Sequence, residues 1–175
     1  MKKNQGFTLI ELIIVLSIVG VLSGYALPSF TQLSQNKKMD GVRNDLTVDL
    51  QFARNQAVMI QRNIIVCPSV THNSCANDSN WHKGWIVFVD KNSDKEYNQN
   101  DELLHVGNAT PKGMTVISSN HRKKIRFNGM GFSPGTNLSI NFCDKRGDNF
   151  AKALIVSNSG RVKQSKPIHA NVCNS

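Results

Sequence analysis

Apolar residues run from Phe7 to Leu27 with Glu11 as the only charge among them. A helix rising 1.5 Å per residue needs about 20 residues to cross a bilayer core of about 30 Å, so this run predicts a membrane-spanning helix over residues 7–27. Beyond Pro28, which a helix tolerates at the cost of a bend, Met39, Val42, Leu46, Leu50, Ala53, Ala57 and Ile60 recur every three or four positions. Asp40, Arg43, Asp45, Asp49 and Arg54 fall between them as the wetter face. The spacing predicts that the helix continues over residues 28–61 and packs its second half on a globular domain. The pattern then shortens to β-rich runs at Ile64–Cys67, Trp85–Val89, Leu103–Val106, Met114–Ile117, Ile125–Phe127, Leu138–Phe142 and Leu154–Val156, separated by turn-forming Gly, Asn, Asp, Ser and Pro. A long N-terminal helix against antiparallel sheet over residues 62–175 is an α+β fold. Strand order does not follow from the pattern.

Glu11 is the anomaly of the apolar run. A charge near the membrane interior costs at least about 2.5 kcal/mol and is kept where something pairs with it, and a free amine is the obvious partner. A secretory signal peptide would place a shorter apolar stretch before a small-residue cleavage site; here the expected cut precedes the run, so the run is retained. Lys2 and Lys3 orient the helix with the body of the chain outside the cytoplasm. Residues 1–6 are then a leader.

Gly6-Phe7-Thr8-Leu9-Ile10-Glu11 behind a basic leader, with Pro28 closing the span, resembles the processing signal of type IV pilins and type II secretion pseudopilins. The resemblance implies cleavage between Gly6 and Phe7 by an inner-membrane prepilin peptidase, N-methylation of Phe7, and pairing of Glu11 with a terminal amine during assembly. It implies a single-pass inner-membrane protein with a periplasmic globular domain, and other pilins or pseudopilins as partners in a filament. A second stretch, Gly84-Trp85-Ile86-Val87-Phe88-Val89-Asp90 with an Asn/Asp-rich turn behind it, resembles the FimT/GspH branch of minor pilins and pseudopilins, FimT most of all. The expected fold is therefore type IV pilin-like.

In an oxidising compartment, Cys67, Cys75, Cys143 and Cys173 read as up to two disulfides. Four cysteines allow three pairings; Cys67 with Cys75 closes a short loop and Cys143 with Cys173 pins the tail, so that pairing is favoured while the others stay open. A zinc site has little to stand on, because there is no CxxC and His72, His82, His105, His121 and His169 are scattered. Asp90, Asn92 and Asp94 fall at the first three alternate positions of a calcium loop, but Lys95 stands where that loop needs glycine. The expectation is a solvated Asx-rich turn with no metal and no cofactor.

Charge turns the question toward function. The chain carries a formal net charge of +9. Residues 118–175 hold ten basic side chains against Asp144 and Asp148, whereas the remainder is close to neutral. A one-sided basic field attracts a polyanion, and neutralising phosphates releases counterions, giving salt-sensitive binding without sequence preference. The FimT-like resemblance implies uptake of double-stranded DNA in natural transformation through a GRxR-like motif. Gly160-Arg161-Val162-Lys163 matches it except that Lys163 replaces the second arginine, keeping a point charge and losing the planar fork. Arg161 and Lys163 share one side of the chain if the segment is extended. Lys166 continues the path, and Arg122, Lys123 and Lys124 with Lys145 and Arg146 offer a second contact area.

No recognition helix, RNP-like pattern or base-stacking aromatic set accompanies these cations, so backbone phosphate is the expected target. No GxSxG, P-loop or HExxH occurs, and an enzyme is not expected. Two readings remain. One is a minor type IV pilin that binds DNA non-specifically; the alternative is a structural minor pilin or pseudopilin, of a pilus or a type II secretion system, without DNA binding.

Overall fold

The computed structural model describes residues 8–169 and 171–173, the side chains of residues 25–28 excepted. Gly6 and Phe7, the expected cleavage residues, lie outside this set, as does the side chain of Pro28 on which a bend was expected. Two compact units divide at Lys38/Met39.

Helix α1 spans Leu9–Ile60. Thr8 stands just before it: its hydroxyl accepts the Glu11 backbone N–H at 3.3 Å, the Thr-x-x-Glu arrangement that satisfies an orphan donor of the first turn. In the first unit Leu9, Ile10, Leu12, Ile13, Ile14, Val15, Leu16 and Ile18 are all exposed, so no single stripe is buried, as a lipid-facing helix requires. The hydroxyls of Ser17 and Ser23 donate to the carbonyls of Ile13 and Val19 at 2.8 and 2.7 Å, which leaves neither unpaired in an apolar setting.

The second unit contains the end of α1 and two four-stranded antiparallel sheets. The first has the order β3 (Glu102–Gly107), β2 (Trp85–Val89), β1 (Ile64–Pro68), β5 (Ile125–Phe127); the second has β4 (Met114–Ser118), β6 (Leu138–Asp144), β7 (Lys152–Val156), β8 (Val162–Ser165). One core joins both sheets to the helix: Met39, Leu46, Leu50, Ala53 and Ala57 meet Val66, Val87, Phe127, Val116, Ile140, Phe142 and Leu154. The helical spacing places this stripe correctly up to Ala57. Ile60, expected in it, is 41% exposed where the helix ends. Asp49, expected on the wet face, is 8% exposed because the Trp85 indole covers it.

The strands β1 and β2 are buried on both faces, which accounts for their unbroken apolar sequence. Their outer side carries a second cluster, Ile65, Cys67, Ile86 and Phe88, against which Cys75 and Tyr97 pack. Cys67 is bonded to Cys75 and Cys143 to Cys173. Strand β8 has no counterpart among the strands expected from sequence, because Val-Lys-Gln-Ser carries too little apolar alternation to announce itself.

Candidate nucleic-acid interface

Arg161 follows a tight turn joining β7 to β8. The Ser157 N–H donates to the Arg161 carbonyl at 3.0 Å and the Gly160 N–H to the Ser157 carbonyl at 2.9 Å. Gly160 has φ +75°, and a Cβ there would stand 2.0 Å from the Gly131 carbonyl oxygen. Arg54 on α1 secures both loops, with Nε donating to the Gly131 carbonyl at 2.9 Å and Nη2 to the Ser159 carbonyl at 3.3 Å. The glycine of the Gly-Arg pair thus lets two loops close on one guanidinium, and Arg161 itself stays exposed.

On β8 the side chains alternate. Val162 packs against the core, and Gln164 donates to Asn44 Oδ1 at 2.8 Å and Thr47 Oγ1 at 3.3 Å on α1. Lys163 therefore lies on the opposite, exposed face of an edge strand. Lys166, just beyond the strand, is exposed too.

Three hydrogen bonds bring a second group of cations to the same end of the domain. Arg122 Nη1 donates to the Asn137 carbonyl at 2.8 Å, the Asn137 N–H to Asn158 Oδ1 at 3.0 Å, and Asn158 belongs to the turn that Ser157 closes onto Arg161. Lys123 Nζ donates to the Asn77 carbonyl at 2.7 Å; Lys124 Nζ donates to the Lys95 carbonyl at 2.8 Å and pairs with Glu96. With Lys95, His121 and Arg126 these three residues line an open cleft of about 520 Å³.

Lys145 and Arg146 do not join them. They follow Asp144 at the far end of β6 from Asn137, seven residues or about 23 Å away at about 3.3 Å per residue. Arg146 is spent internally: its Nε and Nη2 reach Asp144 at 3.0 and 2.6 Å, its side chain is 11% exposed, and its guanidinium lies 4.5 Å over the Phe150 ring. Burial acts to raise the Asp144 pKa, but the Arg146 hydrogen bonds and charge outweigh it and the net shift is downward. Sequence reading overlooked Lys95 as a wall of the cleft, because it lies in an acidic loop, and Arg54, because its role appears only once two distant loops meet.

An N-terminal apolar helix continuing into a unit built on antiparallel sheet is the type IV pilin fold, and two crystal forms of the type IV minor pilin FimU of Pseudomonas aeruginosa share it. The first superposes with a TM-score of 0.61 at 18% identity, covering 76% of this chain and 92% of that one. The second gives 0.57 at 20% identity, covering 72% and 91%. Residues 1–27 match the prokaryotic N-terminal methylation motif and residues 43–160 match the family described as type II transport protein GspH. The chain belongs to that GspH family of minor pilins and pseudopilins of type IV pili and type II secretion. Its prepilin-type helix is anchored in the inner membrane before assembly. Among curated relatives, pilin-like protein PilA1 of Thermus thermophilus is 35% identical over 101 residues, 57% of either protein. Type IV major pilin protein PilA of Myxococcus xanthus is 41% identical over 44 residues, 25% of this chain and 20% of that one. The chain thus spans little more than half of the first relative and a fifth of the second.

Proposed function

We propose that the protein is a minor subunit of a pilus-type filament, held by its N-terminal helix among the helices of other pilins after leader cleavage between Gly6 and Phe7. The observation that carries this reading is the helix itself: its first unit exposes apolar side chains on every side, with Glu11 in the first turn. Such a surface is stable only in lipid or among like helices. The test is incorporation. Glu11→Ala should be cleaved and yet be absent from sheared filaments, whereas normal incorporation would overturn the need for that carboxylate. Substituting Gly6 by a bulkier residue should leave the uncut precursor on a denaturing gel.

The finer reading, FimT-like binding of double-stranded DNA during transformation, is favoured by the placing of Arg161, Lys163 and Arg122 at one end of the domain. Arg161 and Lys163 offer charges to the backbone of a duplex, and the cleft beside Arg122 extends the positive surface. Electrophoretic mobility shift of a duplex by the detergent-solubilised protein tests it. Binding that weakens with salt and falls in Arg161→Gln/Lys163→Gln supports the reading; no shift at low salt leaves the purely structural subunit.

A further inference from the structure

We propose that the loop joining β2 to β3, residues 90–101, is a calcium site. Counting from Asp90, the oxygen-bearing groups Asp90, Asn92, Asp94, the Glu96 carbonyl, Asn98 and Asp101 occupy positions 1, 3, 5, 7, 9 and 12 of a twelve-residue loop. Those positions supply the ligands in calcium loops of this length. The sixth position must make a sharp turn, which glycine ordinarily provides, and here it is Lys95. Lys95 has φ +65°, so the backbone already follows the left-handed turn that its residue type argues against.

The independent observation is Asp90. It is 3% exposed, and neither carboxylate oxygen has a hydrogen-bond partner. The N–H groups of Ser93 and Lys95 face it and draw its pKa down without reaching hydrogen-bonding geometry; burial above all, then the Asp101 and Asp94 charges, more than offset them and the net shift is upward. Burying a carboxylate without partners is costly, and native proteins rarely leave one so. A divalent cation coordinated by Asp90 removes that cost.

The rest of the loop is held by its own hydrogen bonds in an arrangement that the cation would have to rearrange. Asp101 closes it by accepting the Lys91 and Asn98 N–H groups, each at 3.0 Å. Tyr97 anchors it to the sheet, its ring 5.2 Å from that of Phe88. The Asn92 and Asn98 amide nitrogens both donate to Asp94 Oδ2, at 2.7 and 3.0 Å, and Asn98 Nδ2 also reaches the Glu96 carbonyl at 3.4 Å. Two amide nitrogens thus take the place of positive charge among the acceptors, and among the described residues no three acidic, histidine or thiol side chains are gathered around one point. Calcium entry requires those amides to turn and present their oxygens. Three carboxylates, with a lysine in the turn, place the affinity in the weak class of about 10⁻⁴–10⁻³ M, and the flexible seven-oxygen set suits calcium over the smaller, octahedral magnesium.

Isothermal titration of the chelator-treated, full-length protein in detergent with calcium chloride, beside magnesium chloride, tests the site. One calcium per chain is expected, weakened about tenfold or more by Asp94→Asn and by Asp90→Asn, and tightened by Lys95→Gly. Calcium should also raise Tm in the wild type and not in Asp94→Asn. Should Asp90→Asn fail to fold, Asp94→Asn and Lys95→Gly, both at exposed positions, decide the question. No heat and no Tm shift up to about 10 mM calcium in wild type and Lys95→Gly, ten times the weak end of such sites, would overturn the proposal. So would binding indifferent to the aspartate variants, or equal affinity for magnesium.

Discussion

The indole N–H of Trp85 donates to Asp49 Oδ2 at 2.7 Å, while His105 Nε2 lies 3.2 Å from Asp49 Oδ1. One buried carboxylate on α1 thereby takes up donors from β2 and β3. The indole lies so close to Gly107 that a Cβ there would fall 2.0 Å from Trp85 Cε2.

Burial pushes the Asp49 pKa above its ordinary 3.8, partly countered by the Trp85 hydrogen bond and the His105 charge. The native carboxyl therefore holds its proton to a higher pH than the unfolded one. Between those two pKa values the native state binds more protons, so stability falls as pH rises through the window and is flat above it with respect to this group. Asp49→Asn keeps an acceptor for Trp85 and should abolish that decline in urea melts across acidic pH. Asp49→Ala strands the indole N–H and should cost about 1–3 kcal/mol at neutral pH.

Gly160→Ala should lower Tm sharply. The φ of +75° alone costs an alanine about 1–2 kcal/mol, and the overlap with the Gly131 carbonyl adds to it. Arg161→Gln, one residue on, should leave Tm unchanged. Thermal melts of the two variants separate the structural half of the Gly-Arg pair from its exposed half.

If Arg161 and Lys163 neutralise phosphates, removing both should reduce the slope of log affinity against log salt by about 0.9 for each phosphate left without its cation, equally for any DNA sequence. Arg146→Gln should leave that slope alone and lower stability, because its guanidinium is committed to Asp144 and Phe150. Lys145→Gln, at an exposed position at the same far end of β6, should change neither.

The Cys143–Cys173 bridge spans 30 residues, and the Cys173 N–H donates to Asp148 Oδ1 at 2.9 Å. Replacing both cysteines by serine should cost about 2–5 kcal/mol and expose the tail to protease. An unchanged denaturation midpoint would show that the tail contributes nothing to the fold.

Local chemistry along the chain determined a great deal. The apolar run with Glu11, the helical stripe from Met39 to Ala57 and seven of the eight strands among the described residues follow from period, length and residue type, because burial of one face imposes its spacing on neighbours in sequence, whereas the cysteine pairing, favoured but left open by the sequence, is settled by the structure. What only the tertiary structure decided depends on groups far apart in the chain. The two-sheet division, the edge strand β8, the burial of Asp49 under Trp85 and the closing of Gly160 on Gly131 arise where distant segments meet. Charge grouping was decided at the same level: Arg122 and Arg161 come together through Asn137 and Asn158, whereas Lys145 and Arg146 are carried to the other end of β6. Residue type alone also argued against the turn at Lys95, because the tertiary frame around Asp90, Tyr97 and Asp101 supplies a constraint that a local preference cannot express.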